Sequence, residues 1–155
     1  MSKIASRIKE LGIELPNAAS PAANYIPFAL SGNQVVISGQ IPFWNGELVG
    51  LGKLGSNLTV EEGAKIARVC ALNLLAQLEV ASGGDLDRVS RVVKLGGFVN
   101  CIDTFTDQPE VINGASDLMV EVFGDIGRHA RFAVGVGSLP RGVAVEVDGV
   151  FELHN

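Results

Sequence analysis

Along this chain the apolar positions switch between helical and strand spacing, and the switches mark out its elements. Ile4, Ile8 and Leu11 share one side of a short helix that Ser2 can cap and Gly12 can end. Residues 13–23 carry Pro16 and Pro21 and read as a loop. Residues 25–30 and 34–38 read as two strands around the turn Ser31-Gly32-Asn33, and Asn45-Gly46 marks a second tight turn after Trp44. Thr59 with Glu62 three residues on is a capping box. The helix it opens runs to about Ser82, with Ala64, Ala67, Ala71, Leu74 and Leu78 as its core stripe, and Gly83-Gly84 stops it. Residues 88–99 form the next strand. A second long helix, residues 110–123, buries Val111, Ala115, Leu118, Met119 and Val122.

The last quarter reads as two apolar strands joined by Pro140-Arg141-Gly142, each carrying charge where a half-buried strand is usually apolar. Side chains alternate faces along a strand. On the first, Phe132, Val134 and Val136 share one face, and Arg131 shares the other with Ala133, Gly135 and Gly137. On the second, Ala144, Glu146 and Asp148 oppose Val143, Val145 and Val147. A guanidinium beside small residues has open space before it, and two carboxylates follow after one turn. The arrangement suits a site where water attacks a small anion. Ion pairing of Arg131 with Glu146 or Asp148 across the strands is the competing reading.

The pattern predicts an α+β chain in which two helices cover one face of a mixed sheet. With one helical layer available, the other apolar face is expected to pack against a second copy, because obligate interfaces resemble a core cut in half. The length, 155 residues, suits one domain, and 47% hydrophobic residues exclude disorder. A net charge of −5 and 6% aromatic residues disfavour nucleic acid, whose backbone is held by clustered Lys and Arg and whose bases stack on aromatics. No apolar run approaches the roughly 20 residues of a membrane span, and the first residues lack the apolar core of a signal peptide. The expected compartment is the cytosol.

Other motifs carry little. Gly50-Leu51-Gly52-Lys53-Leu54-Gly55 matches GxGxxG, but the helix cap at Thr59 comes too late for a dinucleotide site, so a flexible loop is expected. Cys70 and Cys101 read as free structural thiols. His129 and His154 stand apart from any cluster of metal spacing. His129 reads as a strand-entry residue bonded to backbone, though it is near enough to Arg131 to line a site.

Three segments in order are more specific: Ile37-Ser38-Gly39-Gln40-Ile41-Pro42, Ala130-Arg131, and Leu139-Pro140 followed by Val145-Glu146-Val147. With them the chain resembles the RidA family, also called YjgF and labelled endoribonuclease L-PSP, from about Ala22 to Leu153. Residues 1–21 look like an extension marking a distinct branch of a single-domain protein. The resemblance implies a chorismate-mutase-like fold and a homotrimer whose sheets form a central barrel, with sites in the clefts between subunits. It implies hydrolysis of reactive 2-imino or enamine acids to 2-keto acids and ammonia, with no cofactor and no metal. Residue by residue, it implies that Arg131 binds the substrate carboxylate, which a planar guanidinium can pair bidentately. Glu146 would position the attacking water, Tyr25 would line the pocket, and Gly39 would offer backbone groups. The family's pocket asparagine aligns with Ser116, or with Asn113 in a shifted register. Phe132-Ala133 follows the arginine where imine-hydrolysing members often have a small residue and cysteine, which leaves the substrate open. The alternatives are a non-catalytic binder of small keto acids in the same cleft and an endoribonuclease.

Overall fold

The computed structural model describes residues 1–21 and 23–155; Ala22, where the resemblance is expected to begin, lies outside them. The first helix, α1 (Lys3–Glu10), is capped by the Ser2 hydroxyl accepting from the Ala5 amide. Strands β1 (Phe28–Ser31) and β2 (Gln34–Gln40) form the expected hairpin, followed by a small pair, β3 (Phe43–Trp44) and β4 (Glu47–Leu48). Helix α2 (Val60–Ala81) begins at the capping box, with Thr59 and Glu62 each bonded to the other's backbone amide. Then come β5 (Val89–Asn100), α3 (Gln108–Phe123), β6 (Ala130–Val136) and β7 (Val145–Leu153).

The main sheet has the order β1-β2-β7-β5-β6, with only β5 and β6 parallel. Its inner face carries Val35, Ile37, Leu95, Val99, Val147 and Phe151, all nearly inaccessible beneath α2 and α3. Gly114 sits mid-helix in α3 at a cost of about 1 kcal/mol relative to Ala. A Cβ there would overlap the Ala64 carbonyl, so its absence lets α3 press onto α2. Cys70 is wholly buried, donates to the Val145 carbonyl at 3.4 Å, and has its thiol pKa raised by that burial.

Three features differ from the sequence expectation. The first strand begins at Phe28 rather than residue 25, because Pro27 has no N–H to donate; its carbonyl accepts from the Ser38 amide instead. The last two strands are not neighbours: β5 lies between β6 and β7, and residues 137–144 cross its end. The Gly50–Gly55 loop is pinned rather than free. The Gly52 amide donates to the Gly142 carbonyl, the Ala144 amide to the Gly50 carbonyl, and Lys53 Nζ to Asn100 Oδ1 and the Gly137 carbonyl. This loop therefore anchors the crossing segment that carries Arg141.

Candidate functional site

The insertion of β5 decides how the candidate residues are grouped. Arg131 on β6 stands opposite Leu95 of β5, and Leu95 belongs to the buried inner face. Glu146 on β7 stands opposite Phe98, three residues further along a regular stretch of β5. An odd spacing on a strand changes face. Arg131 thus points to the helical side and Glu146 to the open side. The sequence reading that put both at one opening does not hold within a single chain.

On the helical side, Arg131 is held against α3. Its Nη1 donates to Asn113 Oδ1 at 2.9 Å and to Ser116 Oγ at 3.1 Å, and its Nη2 to the Pro109 carbonyl at 3.2 Å. Asn113 and Ser116, alternatives in the sequence, both reach the guanidinium. They can do so because residues three apart share a helix face. Ser116 Oγ also lies 2.9 Å from His129 Nε2, while His129 Nδ1 lies 2.6 Å from the Gly127 carbonyl. A carbonyl only accepts, so Nδ1 carries the proton and Nε2 accepts from the Ser116 hydroxyl. Burial lowers the His129 pKa below its ordinary value, and the nearby Arg131 charge adds to that against the raising effect of the Gly127 bond. The expected backbone bond of His129 is present; its link to Arg131 through Ser116 was not legible in the sequence.

On the open side, Glu146 lines a cleft of ≈ 500 Å³ with Tyr25, Gly39, Gln40, Phe43 and Arg141. Tyr25 is half exposed and lies before β1. Gly39 sits where the β2–β7 register slips, a bulge that brings backbone close to the carboxylate. A Cβ on Gly39 would lie 2.6 Å from Glu146 Oε2. Burial raises the Glu146 pKa, and the neighbouring Asp148 charge raises it further. The Asp148 pKa is raised too, chiefly by burial, against the lowering effects of the Gly96 amide and Lys94.

Neither half neutralises its own charge. All three acceptors of Arg131 are uncharged, and among the described residues neither Arg131 nor Glu146 takes part in an ion pair. The competing reading, a cross-strand pair of Arg131 with Glu146 or Asp148, is therefore not what the structure contains. One half holds a fixed guanidinium whose Nε hydrogen and second Nη2 hydrogen lie outside these three bonds. The other offers a carboxylate that binds a proton more readily than usual.

Comparison with known proteins gives the family. The family model described as "YjgF/chorismate_mutase-like, putative endoribonuclease" matches residues 5–147. The chain belongs to the YjgF, or RidA, family. It is 53% identical over 154 residues to Protein TCP17 of Trypanosoma cruzi, covering 99% of this chain and 96% of that protein. Among solved structures, Atu1372 of Agrobacterium tumefaciens, of unknown function, is 45% identical with a TM-score of 0.90 over 98% of this chain and 94% of that one. A Shewanella oneidensis protein carrying the same endoribonuclease description is 37% identical, with a TM-score of 0.93 over 97% of this chain and 99% of that one. The YjgF fold, α+β and chorismate-mutase-like, is thus established for the chain. Among the described residues no helix is long and apolar enough to cross a membrane.

Proposed function

We propose that this protein hydrolyses reactive 2-imino acids and their enamine tautomers to 2-keto acids and ammonia, in sites shared between subunits of a homotrimer. The observation that carries the reading is the separation of the two halves onto opposite faces of one sheet. A site needing both an anion fork and a proton-accepting carboxylate is complete only where the helical side of β6 in one copy meets the open side of β7 in the next. The open face has the surface for such contact: Val36 and Val134 are 42% and 43% exposed, and Phe98 and Phe132 pack edge to face beside Val134. Family membership supports the reaction class.

In this reading Arg131 fixes the substrate carboxylate and thereby the plane of the imine. Glu146 takes a proton from water as the oxygen adds to the carbon of the protonated imine, giving a carbinolamine. The protonated Glu146 returns that proton to the nitrogen. As the C–N bond breaks, the carbinolamine hydroxyl gives its proton to the freed Glu146 carboxylate and closes the keto C=O, and the departing ammonia takes that proton and leaves as ammonium. Burial and the Asp148 charge, which raise the Glu146 pKa, make its carboxylate a stronger proton acceptor than an exposed one.

The test is a dehydratase that generates 2-aminoacrylate or 2-aminocrotonate in place, with semicarbazide as a competing trap. Wild type should speed keto-acid formation, and Arg131→Ala should lose on the order of 100-fold in catalytic efficiency, the loss of two charge-assisted bonds. Mixed trimers of Arg131→Ala and Glu146→Gln, reassembled one to one, should regain about a quarter of wild-type activity, since a cyclic assembly then pairs intact halves at random. No recovery in mixed trimers would place the whole site in one chain. RNA cleavage that depends on Arg131 and Glu146 while the imine assay stays flat would favour the endoribonuclease description. Saturable keto-acid binding with no ammonia release would favour a binder.

A further inference from the structure

The cleft beside Glu146 is lined by a guanidinium of its own chain, that of Arg141, which the proposed reaction does not use. Arg141 lies in the turn Pro140–Gly142, and its backbone is left-handed at φ 57° and ψ 15°. Outside glycine and a few polar residues that conformation is uncommon, and side chains held in it cluster at functional sites. The turn is fixed from both sides: the Gly142 amide donates to the Leu139 carbonyl, and the Gly142 carbonyl accepts from the Gly52 amide. The backbone thus projects Arg141 to the cleft wall it shares with Tyr25 and Glu146.

Its charge is uncommitted. Among the described residues Arg141 makes no ion pair and no side-chain hydrogen bond. Nor does it draw down the Glu146 carboxylate, whose pKa is raised by burial and by Asp148. A guanidinium close enough to pair with Glu146 would hold that carboxylate ionised and lower its pKa. Arg141 and Glu146 thus line the same cleft with no ion pair between them. The cleft, ≈ 500 Å³, also exceeds what a three-carbon acid fills, since volumes of this order take considerably larger ligands.

We propose that Arg141 is a specificity-determining residue that selects substrates with a second anionic group, namely imines and keto acids of dicarboxylates. The proposal rests on the reading of Arg131 as the anchor for the first carboxylate. The Arg131 of a neighbouring copy then holds the α-carboxylate, and Arg141 receives the carboxylate at the far end of the side chain.

The probes are oxaloacetate and 2-ketobutyrate, a dicarboxylic and a monocarboxylic keto acid of equal chain length, titrated calorimetrically into the intact protein. Wild type should bind oxaloacetate at least about tenfold more tightly, the effect of one further charge-assisted contact. Arg141→Gly suits the left-handed backbone and keeps the turn while removing the guanidinium. It should abolish the preference and leave 2-ketobutyrate affinity within about twofold. Arg141→Lys should keep part of the preference. Equal affinity for both acids in wild type, or a preference that survives in Arg141→Gly, overturns the proposal. Equal affinity for the two acids in wild type that still hydrolyses 2-aminocrotonate sinks this inference alone. A dicarboxylate preference without imine hydrolysis sinks the catalytic reading alone. Failure of wild type to bind either acid sinks the carboxylate anchor and this inference with it.

Discussion

At the scale of the residue, Glu146 shows how a functional demand opposes stability. Folding half-buries its carboxylate beside Asp148, and both effects raise its pKa above the ordinary value of 4.5. The folded state therefore binds the proton more readily than the unfolded chain. It follows that stability rises as pH falls through the folded Glu146 pKa, and that the ionised group destabilises the fold at neutral pH. Glu146→Gln should unfold at a higher temperature than wild type at pH 7, and the difference should shrink as the pH is lowered through that pKa. The same variant should lose about 100-fold or more in turnover, the usual worth of general acid–base catalysis, with substrate affinity little changed. Thermal unfolding at several pH values and steady-state kinetics check the two halves. A variant less stable than wild type at pH 7 would show that the carboxylate is tied to a partner it needs. Gly39 belongs to the same balance, because any Cβ there displaces the Glu146 carboxylate. Sequence alone marked Glu146 as a charge on an apolar strand, but it could not show the close approach of Gly39. That approach depends on a bulge formed by long-range pairing.

At the scale of the element, α3 and β6 are joined by polar contacts as well as apolar packing. The chain Gly127–His129–Ser116–Arg131 fixes the guanidinium from below, and Asn113 and Pro109 fix it from the side. Ser116→Ala removes one acceptor of Arg131 and leaves His129 Nε2 without its donor. It should raise KM about fivefold, the worth of one hydrogen bond near 1 kcal/mol, and leave kcat nearly unchanged because Glu146 lies elsewhere. An equal fall in kcat with KM intact would assign Ser116 to the chemistry instead. The helices were legible because their signals are local: Thr59 and Glu62 set the start of α2, and apolar spacing gave the buried face of α3. The strands were legible as segments but not as neighbours. Residues 140–142, which read as a simple turn, belong instead to the segment that carries the chain across the end of β5, and no local pattern in β6 or β7 records that β5 separates them. Hence Arg131 and Glu146 were both found in the sequence, while their placement on opposite faces was not.

At the scale of the whole molecule, the open face of the sheet joins structure to activity. One face is covered by α2 and α3. The other presents Val36, Val150, Phe98, Phe132 and Val134 around the carboxylates Glu146 and Asp148. A second copy covering these residues would remove apolar surface from water and bring an Arg131 to the Glu146 cleft in the same step. Assembly and activity should then fail together. Val134→Glu places a charge on this face, 43% exposed in the single chain, without touching Arg131, Glu146 or their bonded partners. The substitution removes little that the lone chain buries, so the monomer should stay folded, with helix content unchanged by circular dichroism. Sedimentation should show it shifted to monomer, and its imine hydrolysis should fall to that of Arg131→Ala. Activity should return in part at high protein concentration, because dimer and trimer formation follow mass action while an intrachain defect does not. A folded monomer with full activity would confine the site to one chain and leave the separation of Arg131 from Glu146 without a catalytic meaning.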